Sequence, residues 1–157
     1  MKCKLIIPFI AGLFLAFVTI AEARQHRLVL NMHHKVYSSI IPRLKSSLNL
    51  KKEIRRQYPH LRLQLKRAEL NRVRLVAKSL LGSGRVKLKA GSWSSPYKRV
   101  DGDPSDFLSN ANNSYDKVNF YVPNFVAHRG KWTMKFKGTI KVRRIMVNFE
   151  TRRRFFP

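Results

Sequence analysis

Lys135, Lys137, Lys141, Arg143 and Arg144 occupy the positions left open by Trp132, Met134, Phe136, Ile140 and Val142. The apolar phase resumes one residue out of step at Ile145, Val147 and Phe149. Ammonium and guanidinium groups hold phosphate, sulfate or carboxylate by charge, and arginine adds a two-pronged hydrogen-bonding fork. Arg72, Arg74, Lys87 and Lys89 stand in the same relation to their apolar neighbours. These nine residues form the candidate anion-binding set. The chemistry they offer is binding, not bond breaking.

Other chemistries have weaker signatures. The chain has no G-x-S-x-G, no H-E-x-x-H and no phosphate-cradling glycine loop. His26, His33, His34, His60 and His128 fall at no catalytic spacing, so we expect neither catalysis nor a cofactor. Asp101, Asp103, Asp106 and Asp116 form one acidic island around "DGDPSD". Clustered oxygens suit calcium, but the glycine and glutamate of an EF-hand loop are missing. Asp-Gly and Asp-Pro are turn formers, so a polar loop paired to nearby arginines is favoured over a metal site. Trp93 and Tyr97 flank "SSP", a placement suited to stacking on a sugar or base, although anchoring the loop by burial is the plainer reading. His26 raises a separate question. Cleavage after Ala23 would make it the third residue of a free terminus, where an amine, two backbone amides and an imidazole give Cu(II) four in-plane nitrogens.

These side chains need elements to position them. A period of two with one apolar face predicts half-buried strands. Val73, Leu75 and Ala77 alternate with Arg72, Arg74 and Lys78; Val86, Leu88 and Ala90 alternate with Arg85, Lys87 and Lys89. Gly82 and Gly84 between them predict a hairpin. Val118, Phe120 and Val122 define another strand that Pro123 ends, and Lys131–Lys137 a further one. Gly138 marks a turn or kink, and the slip at Arg143-Arg144 predicts a β-bulge. Leu61, Leu63 and Leu65 favour a strand, with a helix from Gln64 to Leu70 as the alternative. Leu50, Ile54 and Tyr58 predict one short helix near 49–58, capped by Asn49 and ended by Pro59, whose other face carries Lys51, Lys52, Arg55 and Arg56. Residues 24–48 read as an N-terminal arm or one edge strand. Five or six short strands with polar turns predict a mainly β fold, an antiparallel β-sandwich with one short α-helix.

The stretch "GSGRVKLKAG…GKWTMKFKGTIKVRRIMVNFE" resembles the jelly-roll, galactose-binding-like sandwiches used by many carbohydrate-binding modules. The likeness spans about residues 70–150 and lies in the glycine-bounded pair of strands and the late W-x-M-x-F-x-G-x-I-x-V ladder. It implies a fold and no binding residue: such modules offer aromatic platforms, whereas the wet phase here offers lysine and arginine.

Lys2 and Lys4 precede an apolar run from Leu5 to Ile20 and then Ala21-Glu22-Ala23. That pattern predicts a secretory signal peptide over 1–23, cleaved between Ala23 and Arg24. Residues 49–151 would form a single β-sandwich domain, and 152–157 a basic-aromatic tail. Removing Lys2, Lys4 and Glu22 from 33 basic and 8 acidic residues leaves 31 and 7, a formal +24. Cys3, the one cysteine, would leave with the leader, and a cysteine-free exported chain fits a bacterial periplasmic or secreted protein. Charge so far from zero opposes compaction, and an anionic partner would relieve it. We expect lipopolysaccharide or an acidic glycan first, an anionic membrane surface next, and nucleic acid last because export removes the chain from it. A secreted membrane-active or antimicrobial factor and an envelope structural protein are the alternatives.

Overall fold

Alternation becomes strand pairing along most of the chain. The structure is a computed structural model and describes residues 23–101, 115–123 and 130–152. The expected leader, Asp103, Asp106, His128 and the RRRFFP tail beyond Arg152 lie outside the described residues. Strands β1 (Ala23–Ser38), β3 (Ala68–Ser79), β7 (Asp116–Tyr121) and β9 (Thr139–Arg152) form one antiparallel sheet in the order β1-β9-β3-β7. Strands β2 (Ser47–Asn49), β8 (Trp132–Lys137) and β4 (Gly84–Ala90) form a second, and both β5 (Trp93–Ser94) and β6 (Lys98–Val100) pair with β4. The expected mainly β class with one short helix, α1 (Leu50–Gln57), is what the chain adopts.

The inner faces are the predicted apolar phases. Leu30, Val73, Leu75, Ile145 and Val147 from the first sheet meet Val86, Leu88, Trp132 and Met134 from the second, all fully buried. Tyr37 stacks on Phe136 across the two layers with ring centroids 4.6 Å apart, and Trp132 meets Phe149 at 5.7 Å. Burial of each such side chain stabilises by ~1.5–3 kcal/mol. The predicted bulge is present: Val76 faces Arg144 and Ala77 faces Val142, so Arg143 is the extra residue. Strand β1 shifts register opposite the same point, where His33 and His34 take left-handed backbone angles of 46° and 58°.

Three expectations need correction. First, Gly82 and Gly84 do not close a hairpin. Strand β3 lies in the first sheet and β4 in the second, so the connection crosses between layers. Gly84 is glycine because a Cβ there would sit 2.7 Å from Ile140 Cγ1. Second, residues 61–65 are not a strand. Two 3-10 turns, Pro59–Leu61 and Gln64–Lys66, bury Leu61 and Leu65 and leave Leu63 75% exposed. Third, Lys51 is not on a wet face: it is buried, with Nζ 4.6 Å over the Trp132 ring. Residues 24–48 hold most of β1, an edge strand of the first sheet, and the start of β2 at an edge of the second, with the turn containing Pro42 between them.

Gly138 separates β8 from β9 at φ +81°, a left-handed angle that favours glycine. The chain leaves one sheet and enters the other at that residue. Its N–H donates to Ser39 Oγ at 2.9 Å, Ser39 N–H donates to its carbonyl at 3.2 Å, and the buried hydroxyls of Ser38 and Thr139 lie 3.0 Å apart.

Candidate anion-binding surfaces

Strand pairing splits the nine sequence-predicted cations between two opposite faces. On the second sheet, Lys87 lies directly across from Lys135, and Arg85 across from both Lys137 and Arg99. Lys89 continues that row. Tyr97 lies among them: the Lys137 and Lys87 ammonium groups sit 4.6 and 5.5 Å from its ring centroid. The carboxylate at this margin is Asp101, which pairs with Arg99. Same-sign charges facing each other across strands cost stability, ~0.2–1 kcal/mol per pair. Val86, Leu88, Met134 and Phe136, on the inner side of the same strands, each return more than that. The core therefore tolerates this face and gains nothing from it.

The outer face of the first sheet carries Arg72, Arg74, Lys141, Arg143 and Arg144. Arg72 and Arg74 converge with Arg27, Met146 and Asn148 on a pocket of about 160 Å³. One oxygen, Asn119 Oδ1, accepts from Arg72 Nη2 at 3.0 Å and from Arg74 Nε at 2.8 Å, which fixes both guanidiniums. The Arg72 guanidinium also lies 4.8 Å from the Tyr121 ring centroid. Its Nε is buried with no hydrogen-bond partner among the described residues. Two arginines held in place with spare donors suit a single phosphate or sulfate group. Arg143, on the bulge, turns to Tyr115 at 5.7 Å.

Sequence reasoning missed one concavity. A cleft of about 870 Å³ opens between the end of β1, the connection to β2, and α1. Lys35 comes from β1, Arg43 and Lys45 from the connection, and Lys52, Arg55 and Arg56 from α1, with Arg62 just beyond. Asn49 fixes the helix start, its side chain accepting from Lys52 N–H at 3.0 Å, as its position predicts. Glu53 is the acid of the cleft. Burial pushes its carboxyl up, but hydrogen bonds from Arg56 and Gln57 and the charges of Lys35 and Arg56 bring it below the usual range. Among the described residues, the other six cations make no ion pair with a carboxylate. The available sequence signal was Arg43-Leu44-Lys45 beside a helix with Lys52, Arg55 and Arg56 on one side. Reading 24–48 as an arm or one edge strand hid it.

The chain matches no protein-family model and no curated protein.

The remaining candidates find ordinary places. Trp93 is half-buried against the core, whereas Tyr97 is 37% exposed, so only the tyrosine is open to a ring partner. Asp101 pairs with Arg99, and its N–H donates to Asp116 Oδ2 at 2.6 Å. Asp101 and Asp116 are joined to each other by that bond. Of the calcium candidates, Asp103 and Asp106 lie outside the described residues. The copper reading of His26 requires a free, flexible terminus, and here the structure differs. Arg24, Gln25 and His26 pair with Thr151, Glu150 and Phe149 of β9. The His26 ring stacks on Phe149 at 4.8 Å with Nε2 3.2 Å from Thr151 Oγ1. Chelation by those backbone amides would require stripping the end of β1 from its partner.

Proposed function

We propose that this chain is an exported, non-enzymatic binding protein for anionic polymers, with lipopolysaccharide or an acidic glycan as the ligand class. One observation carries the reading: the directly opposed cations Lys87 and Lys135, and Arg85, Lys137 and Arg99, on a sheet face whose own stability they lower. A bound row of phosphates or sulfates turns that repulsion into attraction. The export half of the proposal rests on the pattern of residues 1–23. The order β1-β9-β3-β7 against β2-β8-β4-β5, with successive strands changing sheets at most connections, supports the finer reading of the fold as a jelly-roll sandwich of the galactose-binding-like kind. In this chain the cationic rows replace the usual aromatic platform.

Heparin and lipopolysaccharide titrations across a salt series test the proposal. Affinity should fall steeply with salt; for duplex DNA the logarithmic slope is about −0.9 per phosphate neutralised, and other polyanions should follow the same trend. Changing Lys87, Lys135 and Lys137 together to glutamine should weaken binding and flatten the slope while leaving the fold intact. Lys141 belongs to the opposite sheet and serves as a control. Unchanged binding by the triple variant at every salt would remove the sheet face as the site. Leakage of anionic vesicles on addition of the protein would favour a membrane-active role instead.

A further inference from the structure

The cleft beside α1 differs in kind from the sheet faces, because cations surround an apolar floor. Tyr37 and Leu48 form buried parts of its lining, and Leu44 stands 39% exposed on its wall. Ile40 and Ile41, in the same connection, are 65% and 42% exposed. Apolar surface left in water costs ~25 cal/mol per Å². A hydrophilic polymer would leave it uncovered, whereas an acyl chain would cover it. The volume, about 870 Å³, falls within the ~300–1,000 Å³ of small-ligand sites.

The backbone gives an independent observation. Leu44 N–H donates to the Ile41 carbonyl at 3.3 Å, closing a turn over Pro42-Arg43, and Arg43 takes φ +75° there. This third turn position normally takes glycine. A non-glycine residue held in that region costs ~1–3 kcal/mol, and such strain gathers at ligand sites. Here the strain holds a guanidinium on the rim of the cleft, next in sequence to the exposed Leu44.

We propose that this cleft binds a phosphate-bearing amphiphile, with the phosphate held by Arg43, Lys52, Arg55 and Arg62 and the apolar chain lying on Leu44, Leu48 and Tyr37. The site is separate from the sheet faces, so it stands or falls independently of polymer binding there.

Calorimetric titration of the intact protein with monomeric dodecyl phosphate, inorganic phosphate and dodecyl maltoside tests it. Dodecyl phosphate should bind at one site per chain, about tenfold or more tighter than either comparison compound. Equal affinity for inorganic phosphate would mean an ion site without a chain site and overturn the proposal. Equal affinity for the maltoside would also overturn it, since the cations would then contribute nothing. Two exposed-site variants localise the effect: Leu44→Asp, and Arg55→Gln with Arg62→Gln. Each should weaken dodecyl phosphate binding about tenfold while retaining heparin binding, which also reports that the variant is folded. Undiminished amphiphile binding in both places the ligand elsewhere and sinks the idea. The Lys87, Lys135 and Lys137 variant should show the opposite pattern, losing heparin and keeping the amphiphile.

Discussion

A neutral imidazole suits the end of β1. Burial, then the charge of Arg24 and then that of His60, hold His26 below its ordinary range, while its ring stacks on Phe149. The folded chain therefore binds fewer protons at this ring than the unfolded chain does as pH falls below the ordinary value of about 6.5. The stability it contributes is complete above that value and is lost as pH falls through the lowered one. We predict that the melting temperature of the native protein drops more between pH 7.5 and pH 5 than that of His26→Phe, which keeps a stacked ring without a titrating nitrogen. Equal drops in thermal scans would assign the pH dependence to other groups. Sequence alone exposed the cationic phase at this scale, because Lys87 or Lys135 needs only an apolar neighbour on each side to be placed. It did not expose the setting of His26, which depends on Phe149 and Thr151 more than 120 positions away.

Helix α1 does the work of an absent strand. The Gln57 amide donates to the Asn31 carbonyl at 3.0 Å and accepts from the Asn31 N–H at 3.1 Å, and Tyr58 OH donates to the Val29 carbonyl at 2.9 Å. These bonds satisfy the outer edge of β1 at Val29 and Asn31, groups that would otherwise be open to strand addition. Gln57 also donates to Glu53 at 2.8 Å, so the carboxylate holds the amide in position. We expect Gln57→Ala to cost about 1–2 kcal/mol, the range for removing partners from backbone groups, as read by urea unfolding. It should also raise self-association in light scattering. A loss below about 0.3 kcal/mol with no association would show the edge needs no clamp. The strands themselves were legible from alternation. Their neighbours were not, since alternation reports which face a residue takes and nothing about which strand lies beside it. That is why β3 and β4 read as a hairpin. Leu61, Leu63 and Leu65 misled for a related reason: the spacing of Leu61 and Leu65 also fits one turn of helix, and only packing decides.

The bend at Gly138 makes Trp132–Arg152 a shared member of both layers. Strand β8 lies between β2 and β4, and β9 between β1 and β3. Alanine at 138 would have to adopt φ +81° with its Cβ 3.3 Å from Gly84 Cα. We predict a loss of about 1–3 kcal/mol for Gly138→Ala, with the denaturant slope unchanged. A full-stability variant would mean the corner relaxes freely. The wild type carries a broader consequence. Neither layer can shed its central strand without pulling on the other, so a half-open molecule with one intact sheet has no stable geometry. The slowest-exchanging amides of β3 and β4, which never touch through backbone pairing, should report one common opening free energy. To a protease, such a chain offers its loops or nothing.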